Sequence, residues 1–149
     1  MVRVLQLDIS LKNNYMDFSN NTFKKTITKK KLSYDDCYEL IGRLFQSRNI
    51  AHLAHLNTMS FAEHKALDAY YSTLLDLTDS LAEKYFGIYG RQPITIESVT
   101  TGTDMKTHLK ELRQEIVEHR EYVKETNIQN IIDELLSLID ETSYLLTLK

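Results

Sequence analysis

Tryptophan is absent from this 149-residue chain, proline occurs once (Pro93), cysteine once (Cys37) and glycine only four times. So few turn formers argue against a many-stranded fold and for long helices. A single cysteine excludes an internal disulfide and fits a reducing compartment; on a helix, Cys37 reads as a small buried hydrophobe. No apolar stretch reaches the roughly 18 residues that a membrane span needs, and no signal peptide opens the chain. The expected location is therefore cytoplasmic, without membrane contact. There is also no Gly-rich phosphate loop, zinc-finger spacing or Ser/His/Asp nucleophile arrangement.

Charge is unevenly spread. Residues 1–32 hold seven basic residues against Asp8 and Asp17, a balance of +5, and residues 33–149 hold 11 basic and 19 acidic ones, a balance of −8. The first segment lacks a sustained helical period and reads as an N-terminal arm over 1–32, followed by one domain over 33–149. In the domain, Ser33 is placed to cap a first helix ending near Asn57, with Tyr38, Ile41, Leu44, Phe45, Ile50 and Leu53 inward. Ser60 and Glu63 form a capping box for a second helix, which Gly90 and Pro93 stop. Its inward stripe is Leu67, Tyr71, Leu74, Thr78, Leu81 and Tyr85. After an irregular crossover, Asp104 or Thr103 caps a third helix that runs to about Lys124. Asn127 starts the fourth. Short turns within each pair and one long connection between pairs describe an all-α four-helix bundle of ferritin-like topology.

The second helix carries His64, Asp68, Asp79 and Glu83. At 100° per residue they lie at roughly 0°, 40°, 60° and 100°, beside the apolar stripe. One metal ion cannot collect all four from one helix, because Asp68 and Asp79 are separated by about 16 Å of rise. Yet His64 with Glu83, and Asp68 with Asp79, average to the same point, between Thr73 and Leu74. Two copies packed antiparallel across a two-fold axis there bring His64 and Asp68 of one to Asp79 and Glu83 of the other, and Ala69 and Ser72 are small enough for close approach. His55 adds an imidazole from the first helix, with His52 an alternative one turn earlier. Such a donor set suits a divalent first-row metal, iron among them. The competing reading of the same residues is a solvated polar stripe.

At these residues the chain resembles the Dps family, miniature ferritins that protect DNA in starved bacteria. The family's pattern is His-x-Asn, then His-x3-Asp, an Asp eleven residues on and a Glu four beyond. Here it is matched by His55-Leu56-Asn57, His64 with Asp68, Asp79 and Glu83. The resemblance implies a ferroxidase that oxidises Fe(II), with hydrogen peroxide as preferred oxidant, and stores ferric mineral in a hollow dodecamer. It implies that His55, His64 and Asp68 come from one subunit, and Asp79 and Glu83 from its two-fold mate. One or two iron ions would sit at each shared site. The chain departs from the family in a shorter turn before His64, in Leu56 where a Trp is usual, and in a shorter crossover.

Lys24, Lys25, Lys29, Lys30 and Lys31 suit phosphate contact without sequence readout. Dps proteins often bind DNA through such arms, which implies the same partner and a nucleoid association here. Glu115, Glu118 and His119 resemble the Glu-x-x-His element of larger ferritins but lack its spacing and its second copy. His108 reads as a surface residue, and Tyr70 or Tyr71 as a radical scavenger near the site. The alternative function is a non-catalytic bundle serving as a DNA-binding, virion-associated or other interaction protein. The departures from the Dps pattern suit a distant branch carried by a virus or mobile element.

Overall fold

A computed structural model of the chain describes residues 36–148. The arm expected at 1–32, with its lysine cluster, lies outside the described residues, as does the Ser33 cap. Four helices and no strand occur among the described residues: α1 (Asp36–Asn57), α2 (Phe61–Tyr89), α3 (Met105–Arg120) and α4 (Thr126–Leu145). No helix there is long and apolar enough to cross a membrane.

Side-chain pairings fix the helix directions. Tyr38 meets Tyr85, Ser47 meets Tyr70 and His55 meets His64, so α1 and α2 are antiparallel. Arg43 pairs with Glu115 and Ser47 with His108, so α3 also runs against α1. Arg113–Asp140 and Arg120–Asp133 set α4 against α3. α1 packs on α2 and α3, and α4 packs on the same two. The resulting order is up, down, down, up. The 90–104 crossover starts where Tyr38 donates to the Gly90 carbonyl (3.0 Å) and crosses α1 at Gly42, where a Cβ would run into the Thr95 carbonyl oxygen. It reaches α3 near the level of Ser47, so the closed end of the α1–α2 hairpin projects roughly 10 Å past the start of α3.

The caps follow local chemistry. Ser60 Oγ accepts from Glu63 N (3.3 Å), but the return half of the expected capping box runs through Thr58. Thr58 Oγ1 donates to the Glu63 carboxylate (2.5 Å) and accepts from Ser60 N (3.2 Å). Gly90 ends α2 at φ +92°, a conformation that a side chain disfavours. Asp104 caps α3 through Thr107 N (3.1 Å). α3 stops at Arg120, short of the expected Lys124, because Val123 turns into the core and its carbonyl accepts from Gln129 Nε2 (2.7 Å).

The core is Leu40, Ile41 and Leu44 of α1, Leu67, Leu74 and Leu81 of α2, Leu109, Leu112 and Ile116 of α3, and Ile128, Ile132, Leu135 and Ile139 of α4. Cys37 is buried, as expected. Phe45, Leu53 and Tyr71 are only partly buried; Tyr70 takes the core place expected of Tyr71. His108 is buried too, against the surface expectation. It closes a polar chain across the core: Tyr70 OH to Ser47 Oγ (2.8 Å), and Ser47 Oγ to His108 Nε2 (2.9 Å). The direction that gives every hydroxyl proton an acceptor runs from Tyr70 to Ser47 to His108, which requires a neutral His108. Burial, then the Arg43 guanidinium, hold His108 below its usual range, and burial raises the Tyr70 phenol well above its own.

Candidate metal centre

The short α1–α2 turn brings His55 and His64 face to face. Their rings stack with centroids 3.7 Å apart at 24°. His55 Nδ1 lies 2.9 Å from the His64 carbonyl oxygen, and His64 Nδ1 lies 3.1 Å from that of His55. A carbonyl oxygen only accepts, so both Nδ1 atoms carry the proton and donate. In the neutral ring the lone pair then lies on Nε2, and neither Nε2 has a hydrogen-bond partner among the described residues. This is the tautomer of a metal-binding histidine, whose other ring nitrogen is anchored by an acceptor. His52 does not join the pair; it stacks on Tyr71 at 4.4 Å.

Asp68 stands one turn beyond His64. Its Oδ1 accepts from the Tyr71 hydroxyl (2.9 Å) and its Oδ2 from Lys65 Nζ (3.2 Å). Those bonds, Tyr71's first, hold its carboxyl below the usual range, so it is an anion at neutral pH. Two imidazoles and this carboxylate are the donor types expected on one side of a shared site. Asp79 and Glu83 are exposed farther down α2, with no polar partner among the described residues. The structure thus brings together His55 and His64, with Asp68 one helical turn after His64, but not Asp79 and Glu83. Among the described residues no three His, Cys, Asp or Glu side chains are arranged to hold a metal ion within one chain.

The other carboxylate–histidine group is committed elsewhere. Glu115 takes a bidentate pair from Arg43 (3.1 and 3.0 Å), and Glu118 accepts from Gln114. His119 Nδ1 donates to the Glu115 carbonyl (2.7 Å). Sequence reasoning named Tyr71 only as an alternative to Tyr70 for a radical scavenger; its bond to Asp68 was not read, although its place three residues on, on the same helix side, was a signal.

These elements define a small four-helix protein with two stacked histidines and a hydrogen-bonded aspartate near the closed end of one hairpin. Residues 55–146 match the model of a family described as a family of unknown function, DUF5856, and the chain belongs to that family. The matched region opens on His55 and contains His64, Asp68, Asp79 and Glu83. An uncharacterized 14.6 kDa protein of the mobD-ri intergenic region in Enterobacteria phage T4 is 32% identical over 114 residues, covering 74% of this chain and 88% of the phage protein. No solved structure matches the chain.

Proposed function

We propose that the chain is a Dps-like ferroxidase and iron-storage protein, a ferritin-like bundle that oxidises Fe(II) at sites shared by two copies. The carrying observation is the half-site: two imidazoles with Nδ1 committed to carbonyl oxygens and Nε2 free, beside an ionised carboxylate. That donor set fits a divalent first-row metal but is too small to complete one. The up, down, down, up order of the helices supports the ferritin-like reading.

The outer face of α2 supports the pairing. Phe61, Asp68, Ser72, Leu75, Asp79 and Phe86 lie along it at steps of seven, four, three, four and seven residues, the spacing of a helix seam. The seam is symmetric about the point between Thr73 and Leu74. Antiparallel pairing sets Phe61 against Phe86 of the second copy, Ser72 against Leu75, and Asp68 against Asp79. Phe61 is 79% exposed and Leu75 41% exposed in the single chain, so apolar surface at the ends and centre of the seam gains by burial. His55, His64 and Asp68 bind Fe(II) from one side, and Asp79 and Glu83 of the second copy from the other.

Fe(II) is the substrate. Each ferrous ion gives up one electron, and hydrogen peroxide takes two electrons and two protons to leave as two waters. The chain's part is to hold the donors in place before iron arrives, so that peroxide is consumed in pairs of electrons and hydroxyl radical is not released beside DNA. A hollow dodecamer that retains the ferric product, and DNA contact through Lys24, Lys25, Lys29, Lys30 and Lys31, complete the proposal. The phage relative supports a viral setting within an infected cell.

Anaerobic loading with Fe(II), followed by rapid mixing with peroxide, tests the proposal through the growth of ferric absorbance. His64→Ala and Asp79→Ala are each expected to abolish the fast phase while circular dichroism stays helical. Undiminished turnover in both variants refutes the proposal and leaves a non-catalytic bundle.

A further inference from the structure

We propose that Tyr71 is the positioning residue of the half-site, aiming the Asp68 carboxylate and steering His55 rather than His52 into the metal position. The inference rests on the metal-site reading above and deepens it. Tyr71 touches more of this region than any proposed ligand does. Its hydroxyl donates to Asp68 Oδ1 (2.9 Å), which leaves the carboxylate a fixed rotamer with the second oxygen steadied by Lys65. Its ring lies flat on His52 (4.4 Å, 20°) and presents an edge to His55 (5.3 Å, 76°). The Arg48 guanidinium lies 5.5 Å from the ring centre, in cation–π range.

These contacts divide two similar histidines. His52 and His55 lie on one side of α1 with ring centroids 6.1 Å apart, and either could turn toward α2. The flat stack on Tyr71 occupies His52. The edge contact leaves His55 free to lie on His64, with its Nδ1 on the His64 carbonyl. One tyrosine therefore acts on two of the three donors, the carboxylate through its hydroxyl and the imidazole through its ring. Tyr71 is only partly buried, so a phenylalanine there keeps the ring contacts without stranding a buried group.

The test uses Co(II), a redox-stable probe for Fe(II) whose visible absorption reports ligand number and geometry. Full-length protein is titrated with Co(II) for the wild type, Tyr71→Phe, Asp68→Ala and the double variant. Groups that orient metal ligands typically contribute 10–100-fold in affinity, so Tyr71→Phe should weaken Co(II) binding by about tenfold or more and alter the absorption band, with the thermal midpoint nearly unchanged. In the Asp68→Ala background the same change should have almost no effect, because the hydroxyl acts through that carboxylate. Tyr71→Leu, which also removes the ring, should weaken binding further. Wild-type affinity and spectrum in Tyr71→Phe overturn the inference, as does an equal loss with or without Asp68. A wild-type protein that takes up no Co(II) overturns the half-site itself, and this inference with it.

Discussion

A subunit carrying His64→Ala and Asp68→Ala loses the imidazole side of each site it joins but keeps Asp79 and Glu83. A subunit carrying Asp79→Ala and Glu83→Ala has the opposite defect. Each variant alone forms dimers in which both sites are broken. When the two are mixed, a heterodimer has one site broken on both sides and one wholly intact. Random pairing makes half the dimers mixed, each with one working site of two, so about a quarter of the wild-type sites should return. The geometry leaves no intramolecular route to this rescue. Asp68 and Asp79 are separated by about 16 Å of helix rise, whereas first-row metals hold N and O ligands at about 2.0–2.2 Å. Asp79 and Glu83 are exposed, so their removal should change stability by no more than about 0.5 kcal/mol. The assay is the peroxide-driven ferric signal of co-refolded variants against each variant refolded alone. Two silent variants that stay silent after verified mixing refute the shared site, and so does full activity in either variant by itself.

His108 supplies a pH prediction. Its pKa is lowered in the fold, so as pH falls below its usual 6.5 the unfolded chain takes up the proton first. The stabilisation is present above that point and lost on acidification, at up to about 1.4 kcal/mol per pH unit for one proton. His108→Gln, which still offers Ser47 an acceptor, should flatten this part of the profile, measured by urea unfolding between about pH 7.5 and pH 5; parallel wild-type and variant profiles would contradict the neutral chain. Deleting residues 1–31 should remove salt-sensitive DNA binding, read as a loss of slope in the dependence of affinity on salt. A full-length protein that ignores DNA at low salt rules out the arm's role. Gly42→Ala should destabilise by about 1–3 kcal/mol through overpacking against Thr95, seen as a lowered thermal midpoint; an unchanged midpoint would mean that the crossover yields freely.

Much of this architecture was legible because its signals are local. Ser60, Gly90 and Asp104 mark helix ends through bonds made within a few residues. What failed depended on packing. Tyr70 and Tyr71 lie roughly 50° to either side of the α2 apolar stripe, so the helical wheel cannot choose between them. The choice is made by Ser47 of α1, which gives the Tyr70 hydroxyl a buried partner. His108 was misjudged by residue type, although it stands one turn before Leu112 and two before Ile116 on the inward side of α3. The α3 end was overrun because residues 121–124 suit a helix locally, while Val123 is claimed by the core. For the site, residue types and spacing were readable. The reciprocal Nδ1–carbonyl bonds were not, since they arise only when the hairpin closes.

A crystal structure of the protein soaked with Fe(II) under anaerobic conditions, with iron located by its anomalous scattering, tests the central claim most directly. The prediction is a two-fold pair joined along α2, with iron between His55, His64 and Asp68 of one copy and Asp79 and Glu83 of the other. Copies whose α2 faces stay apart, or iron bound away from the paired imidazoles, would contradict it.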